Sequence, residues 1–354
     1  MITKSQLISL SAVPGMGPRR IRALLRKFPE LEDITELSKS DLMQVEGISS
    51  DLAAKTKGID LELGKKAEDK TASIGARYLT YWDSSYPEHL KTIYAAPIGI
   101  IVIGEIPQLP CLGIVGTRQP SHYGKKMVKL LTLGLIKAGF CIVSGFARGI
   151  DTWAHKTVLK YNGSTIAVLG NGLDICYPGE NRKLRELLLE NGAFISEFIP
   201  GTKPDAVNFP KRNRIISGLS KRVLIIEAGK KSSAIITALN ALDQNREVFA
   251  LPGQTDSTKS VGTNRLIQQG ARLVMTVDDI LSEFQHQSPP KQVELLPALN
   301  REEEMVFQKL SQNPIHSGEL CIQLKKDTPE VLSTLLMLEL KNIVQQHPGK
   351  LFTN

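Results

Sequence analysis

Short apolar runs alternate with segments of helical periodicity through the middle of the chain. The runs Leu112 to Val115, Phe140 to Val143 and Thr165 to Leu169 are mostly apolar, and Lys125 to Lys137, between the first two, has apolar residues at helical spacing. Such strands are typical of a parallel sheet covered by helices on both faces. The pattern predicts an α/β fold over residues 76–284, with a doubly wound, mostly parallel sheet.

The alternation continues to residue 275. The further predicted strands are Phe194 to Ser196, Val223 to Ile226, Val248 to Leu251 and Leu273 to Met275. The further predicted helices are Arg182 to Glu190, Asn213 to Leu219, Ala234 to Asp243 and Asn264 to Gln269.

Smaller units are predicted at both ends. Residues 1–75 contain short helices with glycine corners at 13–17 and 45–49, spaced like a pair of helix-hairpin-helix units, a motif that aims helix N-terminal amides at a DNA phosphate. Glu46 in the second corner weakens a DNA role, so we interpret this unit as structural or accessory. Residues 285–299 read as a polar linker. Residues 300–354 look like a winged helix whose third helix has almost no basic side chains, which favours protein contact or stabilisation over groove reading.

Two loops near the centre of the sheet carry the candidate chemistry. The strand ending at Val115 is followed by Gly116-Thr117-Arg118, and the strand ending at Val143 is followed by residues 144–149, SGFARG. Because ligands of parallel sheets sit beyond the carboxyl ends of the strands, these loops should meet there. Glycines, helix-start amides and arginines together predict phosphate binding, with the glycine backbone close to the ligand.

A second basic segment lies at residues 211–214, KRNR, directly before or at the start of a helix. Three cations and an asparagine at this point predict a phosphate-backbone site. Four aromatic residues flank the basic positions and are candidates for stacking on unpaired bases; they are Tyr123, Phe146, Tyr177 and Phe209. Glu197 and Glu227 end strands at the same edge, and we interpret them as ion-pair partners of the arginines rather than an acid/base pair.

Composition and charge narrow the class of protein. The chain has 354 residues, 42% of them hydrophobic, and a net charge of +8. Residues 1–75, 76–285 and 286–354 contribute +1, +8 and −1, so the excess lies in the middle domain, as expected for a polyanionic partner. A segment resembling a secretory signal or a membrane span is not found, which predicts a cytoplasmic protein. The four scattered cysteines are predicted to be buried free thiols.

Several other chemistries do not fit the motifs. The sequence has no GxxxxGK loop, no GxSxG elbow and no HExxH, and Gly170-Asn171-Gly172 lacks the third glycine of a dinucleotide site. No cofactor and no metal site are therefore predicted. Asp151 and His155 stand four residues apart, and we interpret Asp151 as a helix cap with His155 hydrogen-bonded beneath it rather than as a catalytic dyad.

The motifs taken together resemble one known family. They are GIVGTRQPSHYG, CIVSGFARGIDTWAH, STIAVLGNGLDICYPGEN, ISEFIPGTKPDAVNFPKRNRIISGLS, VLIIEAGKKSSAIITA, and VFALPG followed by SVGTNRLIQQGA. Their order over residues 80 to 280 is similar to that of the DNA-processing protein A family, DprA/Smf. This chain has Ser233 where the family usually has glycine, beside Lys230 and Lys231.

The resemblance implies an extended Rossmann-type domain that binds single-stranded DNA without a cofactor and is not an enzyme. It also implies a homodimer that protects incoming DNA in natural transformation and helps to load the recombinase RecA. The candidate DNA- and phosphate-binding residues are Gly116, Thr117, Arg118, Ser121, Ser144, Gly145, Arg148, Gly149, Lys211, Arg212, Asn213 and Arg214, with Phe146 and Phe209 as base-stacking candidates.

Two alternatives stay open. One is a nucleotide-processing enzyme of the lysine-decarboxylase-like phosphoribohydrolase type, although residues 227–233, EAGKKSS, lack that group's PGGxGTxxE signature. The other is a duplex-binding regulator that acts through the terminal units, against which their near-neutral charge argues.

Overall fold

The computed structural model describes residues 2–285, 300–311, 314–340, 344–347 and 349–353, and the chain divides into two compact units after Leu281. The predicted linker 285–299 lies outside the described residues except at Gln285, which ends a helix. Within the described residues, no helix is long and apolar enough to cross a membrane.

The first unit begins with five helices, and the order of elements then alternates between strand and helix. The first helices are α1 Lys4–Ala12, α2 Pro18–Lys27, α3 Lys39–Met43, α4 Ser50–Lys57 and α5 Leu61–Ser73. The strands are β1 Arg77–Thr80, β2 Gly99–Gly104, β3 Cys111–Gly116, β4 Cys141–Ser144, β5 Thr165–Leu169, β6 Gly192–Ser196, β7 Arg222–Ile226, β8 Glu247–Ala250 and β9 Arg272–Leu273. The later helices are α6 Glu88–Lys91, α7 His122–Lys137, α8 Ile150–Lys160, α9 Arg182–Leu188, α10 Asn208–Leu219, α11 Ser233–Asp243, α12 Val261–Gln268 and α13 Val277–Gln285.

The nine strands form one sheet in the order β1-β2-β6-β5-β4-β3-β7-β8-β9. All neighbours from β6 to β9 are parallel, while β1 and β2 pair antiparallel with each other and β2 pairs antiparallel with β6. The chain steps outward from β3 through β4, β5 and β6 and then returns to β7 on the other side of β3. The topological switch point therefore lies between the carboxyl ends of β3 and β7, where open α/β sheets bind ligands.

The sheet is buried on both faces, as the uniformly apolar runs predicted. On one face, Val143 and Val168 pack with Ile215 of α10 and Ala238 of α11. On the other, Ala167 and Phe194 pack with residues of α8 and α9. Alternate residues of each strand point to opposite faces, so a buried parallel strand must be apolar at every position.

Several element boundaries differ from the sequence predictions. Helix α10 begins at Asn208 and not at Asn213, because Pro210 stands in its first turn, where a missing amide hydrogen costs nothing. Helix α13 was not predicted. Of the cysteines predicted to be buried, Cys111 and Cys141 are, whereas Cys176 and Cys321 are only half-buried.

The N-terminal helices have the predicted corners, with Gly15 and Gly47 both at positive φ. Arg20 donates to the carbonyl oxygens of both glycines, at 2.7 and 2.6 Å, and so ties the corners together. Arg22 donates to the carbonyl oxygens of Tyr94 and Ala96 in the sheet domain. These contacts fit the interpretation as an accessory module that packs on the sheet domain.

The second unit is a small helical domain with a three-stranded sheet in the order β10-β12-β11. Its elements are α14 Arg301–Phe307, β10 Ile315–His316, α15 Ser317–Leu324, α16 Thr328–Leu340, β11 Gln345–His347 and β12 Leu351–Thr353. Three helices followed by a strand pair are the arrangement of a winged helix, as predicted.

Candidate nucleic-acid interface

The loop after β3 is held against the end of β7 at the switch point. The Thr117 amide donates to the Glu227 carbonyl oxygen at 2.8 Å. The Ser121 amide donates to the Glu227 carboxylate at 2.9 Å, and the Ser121 hydroxyl, which also caps α7, donates to the same carboxylate. Glu227 therefore fixes the start of α7, and among the described residues it pairs with no arginine, in contrast to the prediction.

The loop after β4 packs directly on the loop after β3. The Ile150 amide donates to the Thr117 carbonyl oxygen at 3.1 Å. Gly149 has φ of 79°, and a Cβ there would lie 2.3 Å from that same oxygen. A Cβ at Gly116 would lie 1.9 Å from the Ile226 carbonyl oxygen. Close packing against protein backbone therefore already requires glycine at both positions; their predicted approach to a ligand stays a prediction.

A buried charge pair supports the Gly145 peptide from both sides. The Asp151 carboxylate accepts the Gly145 amide at 3.1 Å, and Arg212 donates to the carbonyl oxygens of Gly145 and Val168. Burial raises the pKa of Asp151 to about 6, although the charge of Arg212 opposes that shift, and burial lowers the pKa of Arg212 to about 10. Asp151 thus binds the preceding loop, and the cap position of α8 is Gly149.

His155 lies beneath this pair and is fully buried. Its Nδ1 is 2.8 Å from the Thr165 hydroxyl oxygen, as the interpretation of a hydrogen-bonded structural histidine requires. Burial, with a smaller contribution from Arg212, lowers the pKa of His155 to about 3. A neutral imidazole with this partner gives no support to a catalytic dyad.

Three of the predicted cations remain at the surface around this edge: Arg118, Arg148 and Lys211. Arg148 forms a two-pronged ion pair with Glu180, with Nη2 to Oε2 at 2.9 Å. Arg214 is less exposed and pairs with Glu197 at 2.7 Å, which confirms the predicted ion pair for that arginine.

A pair of aromatic rings lies beside Arg118 and Arg148. Tyr177 and Phe209 stack with ring centroids 5.7 Å apart and planes inclined by 29°. The guanidinium carbon of Arg118 lies 5.5 Å from the Phe209 ring centre. Between them is a cavity of about 50 Å³, which Gly170, Asn171 and Arg148 also line. A stacked aromatic pair with cations at its rim has the chemistry that unpaired bases and their phosphates require.

The structure contradicts four of the predicted side-chain contacts because the side chains are buried. Phe146 is 1% exposed and packs edge-on against Phe194, so it is not available for stacking on a base. Ser144 donates to the Ile114 carbonyl oxygen, and Asn213 donates to that of Ser233. Arg212 is 4% exposed and bound as described above. The burial follows from their positions on the strand end and on the inner face of α10.

The structure also shows a cationic surface that the sequence interpretation missed, on α7 and α8. The signal was present as lysines four residues apart, at 125 and 129 and at 156 and 160, with Trp153 near the start of α8. Within the described residues, no group of three or more His, Cys, Asp and Glu side chains is placed to hold a metal ion.

Comparison with known proteins places these features in a family. The family model described as DNA recombination-mediator protein A matches residues 77–285, more than half of the chain. The chain belongs to this family. Models for a tandem helix-hairpin-helix and for the DprA winged helix domain match residues 7–55 and 289–350. The resemblance to DprA/Smf proteins and the predicted fold class are thereby confirmed.

Relatives and solved structures agree with this assignment. The chain is 38% identical over 284 residues to Protein Smf of Synechocystis, covering 78% of this chain and 71% of the relative. It is 42% identical over 205 residues to DNA processing protein DprA of Streptococcus pneumoniae, covering 57% and 72%. The crystal structure of that streptococcal protein superposes with a TM-score of 0.70 at 33% identity, over 80% of this chain and 99% of the other. A structure of Helicobacter pylori DNA processing protein A, described as revealing a unique mode of single-stranded DNA binding, has a TM-score of 0.53 at 28% identity, covering 59% and 95%.

Proposed function

We propose that the protein binds single-stranded DNA at the carboxyl edge of its sheet, with bases against the Phe209 and Tyr177 rings and phosphates at Arg118 and Lys211. The stacked aromatic pair with Arg118 above it carries the proposal, because base stacking on aromatic rings is tolerant of sequence while the cations follow the backbone.

The distribution of charge supports the same site. The whole excess of positive charge belongs to the domain that holds the aromatic pair. Counterion release makes such binding strong at low salt and weak at high salt. The H. pylori relative, for which a single-stranded DNA binding mode is described, has the same fold at 28% identity.

From family membership we further propose the biological role. The protein would protect incoming single strands in the cytoplasm during natural transformation, act as a homodimer, and help to load RecA in recombination. The family description as a recombination mediator supports this role. The assay is RecA ATPase activity on single strands coated with single-strand binding protein, with and without this protein; an unchanged lag before ATPase onset would contradict RecA loading. Light scattering of the purified protein tests the dimer.

The binding site is tested by fluorescence anisotropy with a labelled oligonucleotide, single-stranded and then duplex, across a salt series. We expect a preference for the single strand and a negative slope of log affinity against log salt. Lys211→Gln should weaken binding to every sequence alike, while Lys221→Gln, which removes another exposed charge at the opposite edge of the sheet, should not. Equal binding of single strand and duplex, or equal effects of both substitutions, would contradict the proposed site.

The same preparation tests the enzymatic alternative. A phosphoribohydrolase would release free base from nucleoside monophosphates, which chromatography detects. Base release that Arg118→Gln abolishes would favour the enzyme over the binding protein, because a cation at this edge would then serve a nucleotide phosphate.

A further inference from the structure

A second cationic surface lies on the outer sides of α7 and α8, outside the candidate interface. Five lysines line a groove of about 660 Å³ between these helices, together with Trp153 and Tyr161; the lysines are Lys125, Lys126, Lys129, Lys156 and Lys160. We call this the lysine groove. None of its lining residues is acidic.

The ammonium groups crowd around a single indole ring. The Nζ atoms of Lys129, Lys156 and Lys125 lie 4.5, 5.6 and 6.0 Å from the Trp153 ring centre. Within the described part of the chain, none of the five lysines has a carboxylate or hydrogen-bond partner for its ammonium group. Lysines four residues apart on one helix repel each other, so this arrangement destabilises the free protein.

The charge composition of α7 and α8 differs from that of an ordinary solvent-exposed helix face. Helix α7 carries four lysines and no acid, and the single acid of α8 is Asp151, which is buried against Gly145. Solvated helix faces normally mix both signs of charge. A groove of one sign, with two aromatic side chains in it, is the pattern of a channel for a single-stranded polyanion.

The lysine groove lies on the two helices that directly follow the loops of the candidate interface. Helix α7 begins at His122, four residues after Arg118, and α8 begins at Ile150, two residues after Arg148. Both helices start at the switch-point edge and run away from it side by side. A strand held at Arg118 can therefore enter the groove at Lys125 and Trp153 and follow it towards Lys160.

We propose that the lysine groove holds the sugar-phosphate backbone of the same single strand after it leaves the aromatic pair. This inference rests on the proposed function and extends it from a short contact to a longer binding site. The groove is a backbone site and reads no sequence, since ammonium groups are point charges that bind phosphate without selecting a base. Trp153 is placed for a base to stack on it once phosphates draw the ammonium groups off its ring.

The test uses the full chain and single strands of increasing length, from roughly 4 to roughly 30 nucleotides. The test variant carries Lys129→Gln, Lys156→Gln and Lys160→Gln. The control variant removes three exposed lysines outside both surfaces, with Lys39→Gln, Lys66→Gln and Lys221→Gln. Circular dichroism and thermal unfolding establish that both variants are folded.

We expect the test variant to bind short strands as the wild type does and to lose roughly tenfold or more in affinity for long strands. Its salt slope on long strands should fall by about 2, because each phosphate contact of a single strand contributes about 0.7. The inference is overturned if the test variant matches the wild type at all lengths, as it would if an acidic protein occupied the groove. It is also overturned if short and long strands lose affinity equally, or if the control variant does the same.

Tryptophan fluorescence gives a second measurement. The chain has two tryptophans, so Trp82→Phe leaves Trp153 as the single reporter. Its emission should change when long strands bind and stay constant with short ones. If long strands bind but the emission does not change, the lysine-groove inference is wrong and the proposed function is unaffected. If the wild type binds no strand of any length, the proposed function itself is wrong.

Discussion

Arg118 and Arg212 lie at the same edge of the sheet, and the structure predicts opposite consequences for their replacement by methionine. Arg118 is exposed, and its guanidinium lies over the Phe209 ring. Arg212 is 4% exposed, donates to two buried carbonyl oxygens and lies close to the buried carboxylate of Asp151. Methionine keeps much of the volume of either side chain and removes the charge.

For Arg212→Met we expect the free energy of unfolding to fall by about 3 to 5 kcal/mol, since the change leaves a buried charge without its counterpart and two acceptors without donors. For Arg118→Met we expect a loss of about 1 kcal/mol or less, because an exposed cation-ring contact contributes about 0.5 to 1 kcal/mol. The order should reverse in DNA binding: Arg118→Met should lose roughly tenfold in single-strand affinity, about 1.4 kcal/mol, with a salt slope smaller by about 0.7.

Urea unfolding of the two variants measures the predicted losses of stability, and anisotropy titration measures the predicted losses of single-strand affinity. Any loss of DNA affinity in Arg212→Met should be accompanied by the loss of stability, because the side chain acts by holding the Gly145 peptide. The reasoning is refuted if Arg212→Met is as stable as the wild type and still loses affinity as Arg118→Met does. That result would mean that the guanidinium contacts the ligand directly.

Three further predictions concern the same edge. Burial lowers the pKa of His155 from 6.5 to about 3, so the folded protein keeps the ring neutral. Below pH 6.5 the unfolded chain binds a proton at His155 that the folded protein does not bind, and the free energy of unfolding therefore falls as the pH falls. The stability gap between wild type and His155→Gln should therefore narrow by up to about 1.4 kcal/mol per pH unit, measured by urea unfolding from pH 6.5 to 4; a constant gap would be the contrary result. Gly149→Ala should cost roughly 2 kcal/mol or more, because of its positive φ and the backbone oxygen 2.3 Å from the added Cβ, whereas Gly179→Ala, with open space around it, should melt as the wild type does. Phe209→Leu should lower single-strand affinity by about 1 to 3 kcal/mol in anisotropy titrations while the exposed Tyr94→Leu does not; equal effects would show that stacking at Phe209 is not used.

Local sequence patterns were sufficient to predict the layered α/β fold and the edge of the sheet at which the candidate site lies. The run from Leu112 to Val115 is apolar at every position, which only a strand buried on both faces requires, and parallel pairing with right-handed crossovers then brings the ends of β3 and β4 together. The order and composition of the motifs were enough to indicate the family. These features depend on local periodicity and chain direction, which can be read from consecutive residues of the sequence.

Which of the predicted side chains reach the surface depends on tertiary packing. Arg212 and Lys211 are adjacent in the sequence, yet helical rotation turns one under the Gly145 peptide and leaves the other in solvent. In the sequence, Phe146 and Phe209 are equally good stacking candidates, but in the structure Phe194 of β6 packs against Phe146 and buries it. The glycines were expected to make room for a ligand, and they make room for neighbouring strands and loops. Burial and pairing depend on residues far apart in the chain, so the sequence supplied the candidates and packing selected among them.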